Sequence, residues 1–248
     1  MVAKYWYLLG RAIVALYARW VLKIDIQLRF PLPEGASILV ANHPSTTDPA
    51  WLTILSPEPQ AILIKDLLFK VPLFGHSLRL AGHIPVVKGN GKAALEEAAQ
   101  RLKSGQTVVI FPEGEISPRE GGLQKTHTGA ARLALLTGAP VIPVGIGLDQ
   151  SHLREVLTRV DGGTELSYWY LRGRYALTVG APMHFKGTVE DRELVQAVLN
   201  QMMQRVSFLA QESSRRVRLA EPVRFGLGHL VSLGWQLFAR MLYVFSSI

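Results

Sequence analysis

The sequence predicts an α/β fold: a single domain with a largely parallel or mixed central sheet flanked by helices, and an amphipathic helix at each end. Three observations predict it. Strand-like and helix-like stretches alternate from Ile24 to Val206, as they do when a sheet is wound with crossover helices. Thr107–Phe111 is an almost unbroken apolar run, which suits a strand covered on both faces. At 248 residues the chain is long enough for one substantial core, and it carries no internal repeat, low-complexity tract or linker-like stretch.

The elements follow in order. Residues 3–23 have helical periodicity, with Lys4, Arg11, Arg19 and Lys23 interrupting the apolar residues. Tyr5, Trp6, Tyr7, Tyr17 and Trp20 supply rings that favour a membrane–water interface. The uncharged stretch Ala12–Ala18 is too short to span a bilayer. Two readings stand for this segment, an interfacial helix and a helix packed on the protein's own core. Ile24–Phe30 and Ser37–Ala41 read as strands, Pro49–Leu55 as a short helix, Ala61–Ile64 and Ile84–Val87 as strands. Lys92–Lys103 reads as a helix, Thr107–Phe111 as a strand, Thr128–Leu136 as a helix and Val141–Ile146 as a strand. Ser167–Leu171 and Tyr175–Val179 read as two strands around a turn at Gly173. Thr188 and Asp191 resemble a capping box, with Asp in place of Glu or Gln. The helix they open presents Leu194, Val195, Val198, Leu199, Met202, Met203 and Val206 on one face, and its methionines read as core. After the basic Arg215-Arg216-Val217-Arg218 comes an apolar tail, residues 223–248, that lies on or crosses a membrane. The expected organisation is an interfacial helix at 1–23, a catalytic domain at 24–214 and a basic-then-apolar membrane-associating tail at 215–248.

Charge and hydropathy narrow the function. Lys plus Arg outnumber Asp plus Glu by 27 to 19, a formal charge of +8, while 48% of residues are hydrophobic. The positive surplus favours polyanions or anionic surfaces. Combined with a positive mean hydropathy, it points to an anionic membrane surface rather than nucleic acid. The basic clusters also lack the interleaved aromatics of a single-strand binder. The absence of cysteine excludes disulfides and thiolate chemistry and fits a reducing compartment. The N-terminal apolar runs, broken by Arg11 and Arg19, do not form a cleavable signal peptide pattern.

The chemistry concentrates in His43-Pro44-Ser45-Thr46-Thr47-Asp48, directly after the apolar run Ile38–Ala41. A strand ending in a turn delivers side chains to the carboxyl edge of a sheet, where open α/β proteins bind ligands. An imidazole moves protons near neutral pH, and a neighbouring carboxylate fixes its tautomer and stabilises the imidazolium. Residues five apart do not share a helix face, and Pro44 and Pro49 forbid one helix through the segment. Asp48 ahead of Pro49 also fits a helix N-cap. His43 also fits a loop histidine satisfied by backbone, or a metal ligand, although no HxH, HxxxH or cysteine supplies further ligands.

Phe111-Pro112-Glu113-Gly114 follows the apolar strand and brings Glu113 to the same edge, with Gly114 allowing close backbone approach. An ordinary turn with a solvated Glu113 is the other reading. Lys88, in Gly82–Lys88, offers a charge for a phosphate or sits in solvent; His83 reads as structural, and Lys65 adds positive charge at the end of another strand. Gly89-Asn90-Gly91-Lys92 lacks P-loop spacing, no GxSxG elbow is present, and Gly145-Ile146-Gly147 lacks the third glycine of a dinucleotide fingerprint.

These motifs in this order resemble the glycerolipid acyltransferase family, whose best-known members are 1-acylglycerol-3-phosphate acyltransferases. The H-x-x-x-x-D motif is His43 to Asp48 and the F-P-E-G motif is Phe111 to Gly114. Between them lies the Gly82–Lys88 element; Lys65, Leu68, Phe69, Pro72 and Gly75 fit K-x-x-L-F-x-x-P-x-x-G; Val141-Ile142-Pro143-Val144 completes the set. The resemblance spans roughly residues 35–147. It implies an O-acyltransferase at the cytoplasmic face of a membrane, with His43 as general base and Asp48 orienting it. The second and third motifs, with Lys88, Glu113 and Gly114, would bind the acceptor's head, and Pro143 would shape the cleft. The donor would be acyl-CoA or acyl carrier protein, the acceptor a lipid hydroxyl, with no resident cofactor and no metal. Two departures bear on the acceptor. Lys88 replaces a common Arg and lacks its bidentate fork. Glu115 and Ile116 stand where the family often has Thr and Arg. Lysophosphatidate, another lysophospholipid and a glycolipid hydroxyl therefore all stand as acceptors. A silent lipid-binding protein and a metal-dependent hydrolase are the rival functions.

Overall fold

The computed structural model describes residues 2–119, 122–160 and 163–219; the tail expected to associate with membrane at 223–248 lies outside the described residues. α1 (Val2–Tyr17) runs into a π-helical turn, Ala18–Leu22, ended by Lys23 in the left-handed region. Then follow β1 (Asp25–Leu28), β2 (Ile38–Ala41), α2 (Asp48–Leu52), β3 (Gln60–Lys65), α3 (Phe74–Leu80), β4 (Ile84–Val86) and α4 (Gly91–Lys103). The remainder is β5 (Thr107–Ile110), α5 (Gly129–Thr137), β6 (Val141–Leu148), β7 (Arg154–Val160), β8 (Gly163–Trp169), β9 (Tyr175–Val179) and α6 (Arg192–Leu219).

Seven strands form one sheet in the order β1-β9-β6-β2-β5-β3-β4, and every neighbour is parallel except β6 with β9. This is the α/β architecture with a mostly parallel sheet flanked by helices. The central strands β2, β6 and β9 are buried along their whole length, which is why their sequences are apolar runs rather than alternations. α4, α5 and α6 cover one face through Ala98, Leu102, Leu133, Val198 and Met202; Tyr17, Leu22, Trp51 and Leu52 cover the other.

The two long helices are fastened differently. α6 lies directly on β6: a Cβ at Gly145 would meet the Leu209 backbone at 2.0 Å, and one at Gly147 the Ser214 nitrogen at 2.3 Å. Those glycines permit helix–strand contact; they bind no dinucleotide. Ser213 Oγ donates to the Gly145 carbonyl, and Arg216 donates to the Leu177 carbonyl and Thr178 Oγ1. α6 thus continues through the basic run at 215–218, which the sequence reading had placed in the tail. α1 is held by one stripe. The Arg11 guanidinium donates to the Thr53, Ser56 and Ile54 carbonyls where α2 gives way to a 3₁₀ turn. The Tyr17 ring stacks on Trp51, and its hydroxyl donates to the Leu171 carbonyl. The opposite stripe, Tyr5, Leu9, Ile13, Leu16 and Trp20, is exposed. Among the described residues no helix is long and apolar enough to cross a membrane.

Two local expectations are corrected. Ser167–Leu171 and Tyr175–Val179 do not pair across Gly173. β8 pairs with β7 in a separate hairpin, and β9 inserts between β6 and β1. β9 is buried on both faces, which its place between two strands provides. The α6 cap is Asp191 itself, whose Oδ1 accepts from Leu194 N–H at 2.9 Å; Thr188 contacts Glu190 instead. α3 and β7 were not anticipated.

Candidate active site

β2 and β5 are adjacent and parallel, so the turns that follow them leave the sheet side by side. Asn42 sets the first turn. Its side chain donates to the Ile146 carbonyl at 3.0 Å and accepts from Ile146 N–H at 2.7 Å, extending the β2–β6 pairing by one residue through a side-chain amide. His43 is therefore presented immediately beyond the sheet. Its ring stacks on Phe111, 4.2 Å between centroids, which fixes the ring plane. The two turns are then tied together. His43 N–H donates to Glu113 Oε1 at 3.0 Å, and Ser117 N–H donates to the His43 carbonyl at 2.8 Å.

His43 Nδ1 lies 3.0 Å from Asp48 Oδ2. The Asp48 carboxylate is completely buried, yet each oxygen has partners. Oδ2 also accepts from Ser45 N–H at 2.7 Å, and Oδ1 accepts from Ser45 Oγ and from the Tyr175 hydroxyl, the latter at 2.8 Å. Burial first, then the Asp48 charge, pushes the Tyr175 phenol well above its usual range, so it stays protonated and donates. Asp48 is the first residue of α2, and its side chain bonds backward to Ser45 rather than forward to the helix amides. The expected N-cap role is thereby replaced. Hydrogen-bonded on both oxygens, Asp48 is placed to accept from Nδ1–H and so to orient the imidazole. Nε2 is left to take a proton, and the ring, 16% exposed, reaches the surface.

The remaining sequence-selected residues separate into two groups. Glu113 is 1% exposed. Its carboxylate accepts from His43 N–H, from Ser117 Oγ at 2.7 Å and from Gln124 N–H at 2.7 Å, which makes it the brace between the two turns. Gly114 sits at φ 64°, and a Cβ there would meet the His127 ring at 3.1 Å. Lys65 ends β3 with its Nζ 2.9 Å from Glu115 Oε2, an ion pair at the surface. Lys88 is exposed beyond the end of β4, on the same sheet edge. His83 is structural: its Nδ1 accepts from Ile62 N–H, and burial pulls its imidazole down to about 4.

Sequence reasoning missed Ser45, Ser117, Gln124 and Tyr175. It also missed the clamp on the His43 turn, in which Thr46 N–H donates to the Tyr168 carbonyl and Thr47 Oγ1 to the Tyr170 carbonyl. Ser45 and Ser117 stood inside the motifs; Tyr175 comes from a strand whose placement the sequence did not reveal.

A groove of about 640 Å³ opens at the other end of the sheet, where Ser37, Gln60 and Thr107 precede or begin their strands. Among the described residues its ionisable lining is Glu34 and Glu58. It holds no histidine, and it lies a full strand length from His43.

A family model described as Acyltransferase matches residues 23–147. The 1-acyl-sn-glycerol-3-phosphate acyltransferase of Pseudomonas aeruginosa is 30% identical over 138 residues, 52% of this chain and 53% of that protein. The N-acylphosphatidylethanolamine synthase of Arabidopsis thaliana is 28% identical over 137 residues, 50% of this chain and 48% of that protein. The crystal structure of the 1-acyl-sn-glycerophosphate (LPA) acyltransferase PlsC from Thermotoga maritima superposes with a TM-score of 0.58 at 26% identity, covering 81% of this chain and 78% of that one. The chain spans about half the length of the curated relatives it matches.

Proposed function

The chain belongs to the Acyltransferase family, the glycerolipid acyltransferases, and from that premise we propose that it moves a fatty acyl group from an acyl thioester to a lipid hydroxyl, with 1-acylglycerol-3-phosphate as acceptor and phosphatidic acid as product. The observation that supports this best is the 3.0 Å contact between His43 Nδ1 and Asp48, which commits one ring nitrogen and leaves the other for chemistry. Nε2 takes the proton from the acceptor hydroxyl as its oxygen attacks the thioester carbonyl. The tetrahedral intermediate collapses, the carbon–sulfur bond breaks, and the imidazolium returns the proton to the departing thiolate. No acyl-enzyme, resident cofactor or metal is required. The base contributes on the order of 10²–10⁴-fold, and positioning of the two substrates contributes the rest. Acyl-CoA and acyl carrier protein are both anionic, which suits a chain of formal charge +8.

A second reading of the acceptor is favoured by Glu115. It pairs with Lys65 at the mouth of the site, so a phosphomonoester head competes with a carboxylate for that ammonium. A lysophospholipid without a free phosphate monoester, or a glycolipid hydroxyl, meets no such competition. Labelled acyl-CoA offered with lysophosphatidate, neutral and zwitterionic lyso-lipids decides between them. Thiol release that depends on acceptor, and is lost in folded His43→Ala, is expected. Undiminished turnover in His43→Ala overturns the mechanism.

We place the protein at the cytoplasmic face of an anionic membrane, with the exposed stripe of α1 as its contact. Because the opposite stripe packs on the core, the test is substitution rather than deletion. Leu9→Gln, Ile13→Gln and Leu16→Gln together should weaken sedimentation with anionic vesicles at least tenfold and leave the melting temperature unchanged. Equal sedimentation would move the contact elsewhere.

A further inference from the structure

We propose that Tyr175 is a positioning residue for the His43–Asp48 pair, so that the base is a Tyr–Asp–His chain whose first member comes from β9, outside the motif-bearing region. The inference rests on the reading of His43 as general base. It stands on geometry. Asp48 is buried, and a carboxylate has about four acceptor sites to satisfy. Oδ2 serves His43 and Ser45 N–H; Oδ1 serves Ser45 Oγ and Tyr175. With donors fixed on Oδ1, the carboxylate cannot rotate, and Oδ2 is held against Nδ1.

The Tyr175 hydroxyl is itself held. The residue is 1% exposed, pairs in register with Leu148 of β6, and packs its ring 5.8 Å from that of Tyr170. β9 could not supply this donor from a hairpin with β8; its place beside β6 is what carries the phenol to Asp48. The family match ends at residue 147, so the motif region reaches its full geometry only when the strand beyond it is in place.

The hydroxyl also sets how much charge Asp48 presents to the imidazole. A donor on Oδ1 draws density away from Oδ2. Without it, the carboxylate holds the imidazolium more tightly, and the base must be freed of its proton at higher pH. The titratable groups facing the pair are Glu113 from the turn after β5, Tyr175 of β9 and Tyr170 just before it. Of these, Tyr175 alone donates to Asp48.

The test is Tyr175→Phe, assayed beside His43→Ala and Tyr170→Phe across pH. Tyr175→Phe should lower kcat about tenfold or more, leave KM for both substrates unchanged, and move the acid limb of the kcat profile to higher pH. Tyr170→Phe removes a hydroxyl from the same cluster without touching Asp48 and should leave that limb where it is. If His43→Ala is inactive while Tyr175→Phe keeps the wild-type rate and limb, the positioning role is overturned and the general base stands. If His43→Ala retains turnover, the base itself is wrong. Should Tyr175→Phe not fold, protein grown with 3-fluorotyrosine gives the opposite perturbation: a more acidic phenol tightens the bond and moves the limb to lower pH. An unmoved limb there overturns the proposal.

Discussion

The two ends of the sheet differ in what they do with polar groups. At the carboxyl ends of β2 and β5, Asp48 and Glu113 are buried and every carboxylate oxygen accepts a hydrogen bond. At the amino ends, a groove of about 640 Å³ is lined by proline, serine and glutamine, and the buried Gln60 amide lacks a partner for either atom. At the first end the buried carboxylates are all partnered; at the second the Ser37 and Thr107 hydroxyls meet at 3.2 Å, but the Gln60 amide stands unpaired. Leaving a buried polar group unpaired costs about 1–3 kcal/mol, so a dense set of satisfied ones marks a geometry being held.

The comparison breaks if substitutions at the two ends have similar effects. His43→Ala should lower acyl transfer by about 10²–10⁴-fold, whereas Gln106→Ala, on the groove, should leave kcat/KM within about twofold. Initial rates with saturating donor decide this. Glu113→Gln sharpens the role of the brace: it removes the charge and turns one acceptor into a donor facing Ser117 and His43. Loss of about 2–3 kcal/mol of stability and a turnover at least tenfold lower are expected from urea unfolding and rate measurement. A variant that binds and turns over normally would return Glu113 to the role of an ordinary turn residue.

His83 lies between the two ends and titrates without serving either. Its folded value, about 4, lies below its ordinary 6.5, chiefly because burial disfavours the charged ring. Between those values the unfolded chain binds more protons than the folded one. Stability therefore falls as pH drops from about 6.5 to about 4 and levels off below, by up to roughly 3 kcal/mol. His83→Gln should flatten that slope in urea midpoints taken across the window. The smallest effect is expected at the exposed Lys65–Glu115 pair. Glu115→Gln should change stability by less than about 1 kcal/mol while lowering KM for a phosphomonoester acceptor relative to a neutral one. An unchanged ratio removes the pair from acceptor choice.

The difference between the ends also accounts for what the sequence disclosed. β2, β5 and their turns were legible because an apolar run followed by His or Pro-Glu-Gly is a local pattern. The groove loops and the 168–175 clamp are not local. Tyr175 reads as the start of an apolar strand, and nothing near it tells that its hydroxyl meets a carboxylate 127 residues earlier. β9 was recognised as a strand and misplaced as a hairpin partner, since pairing depends on which neighbours cover both faces. Residues 3–23 were legible as a helix, but not which of its stripes packs on the core. One stripe is buried by Arg11 and Tyr17 contacts, and the other remains apolar and exposed. Periodicity counts apolar positions without saying which of two apolar stripes meets the protein.

The crossing of α6 over β6 has a mechanical consequence. Gly145 and Gly147, pressed by the helix backbone, flank Ile146, the residue whose peptide groups grip Asn42. That grip links β6 to the imidazole one residue later. A single methyl at either glycine would act as a shim, lifting the strand from the helix and tilting the His43 ring at the far end. Turnover in such a variant should fall through a wedge placed about a hundred residues down the chain, on the face of the sheet that α6 covers.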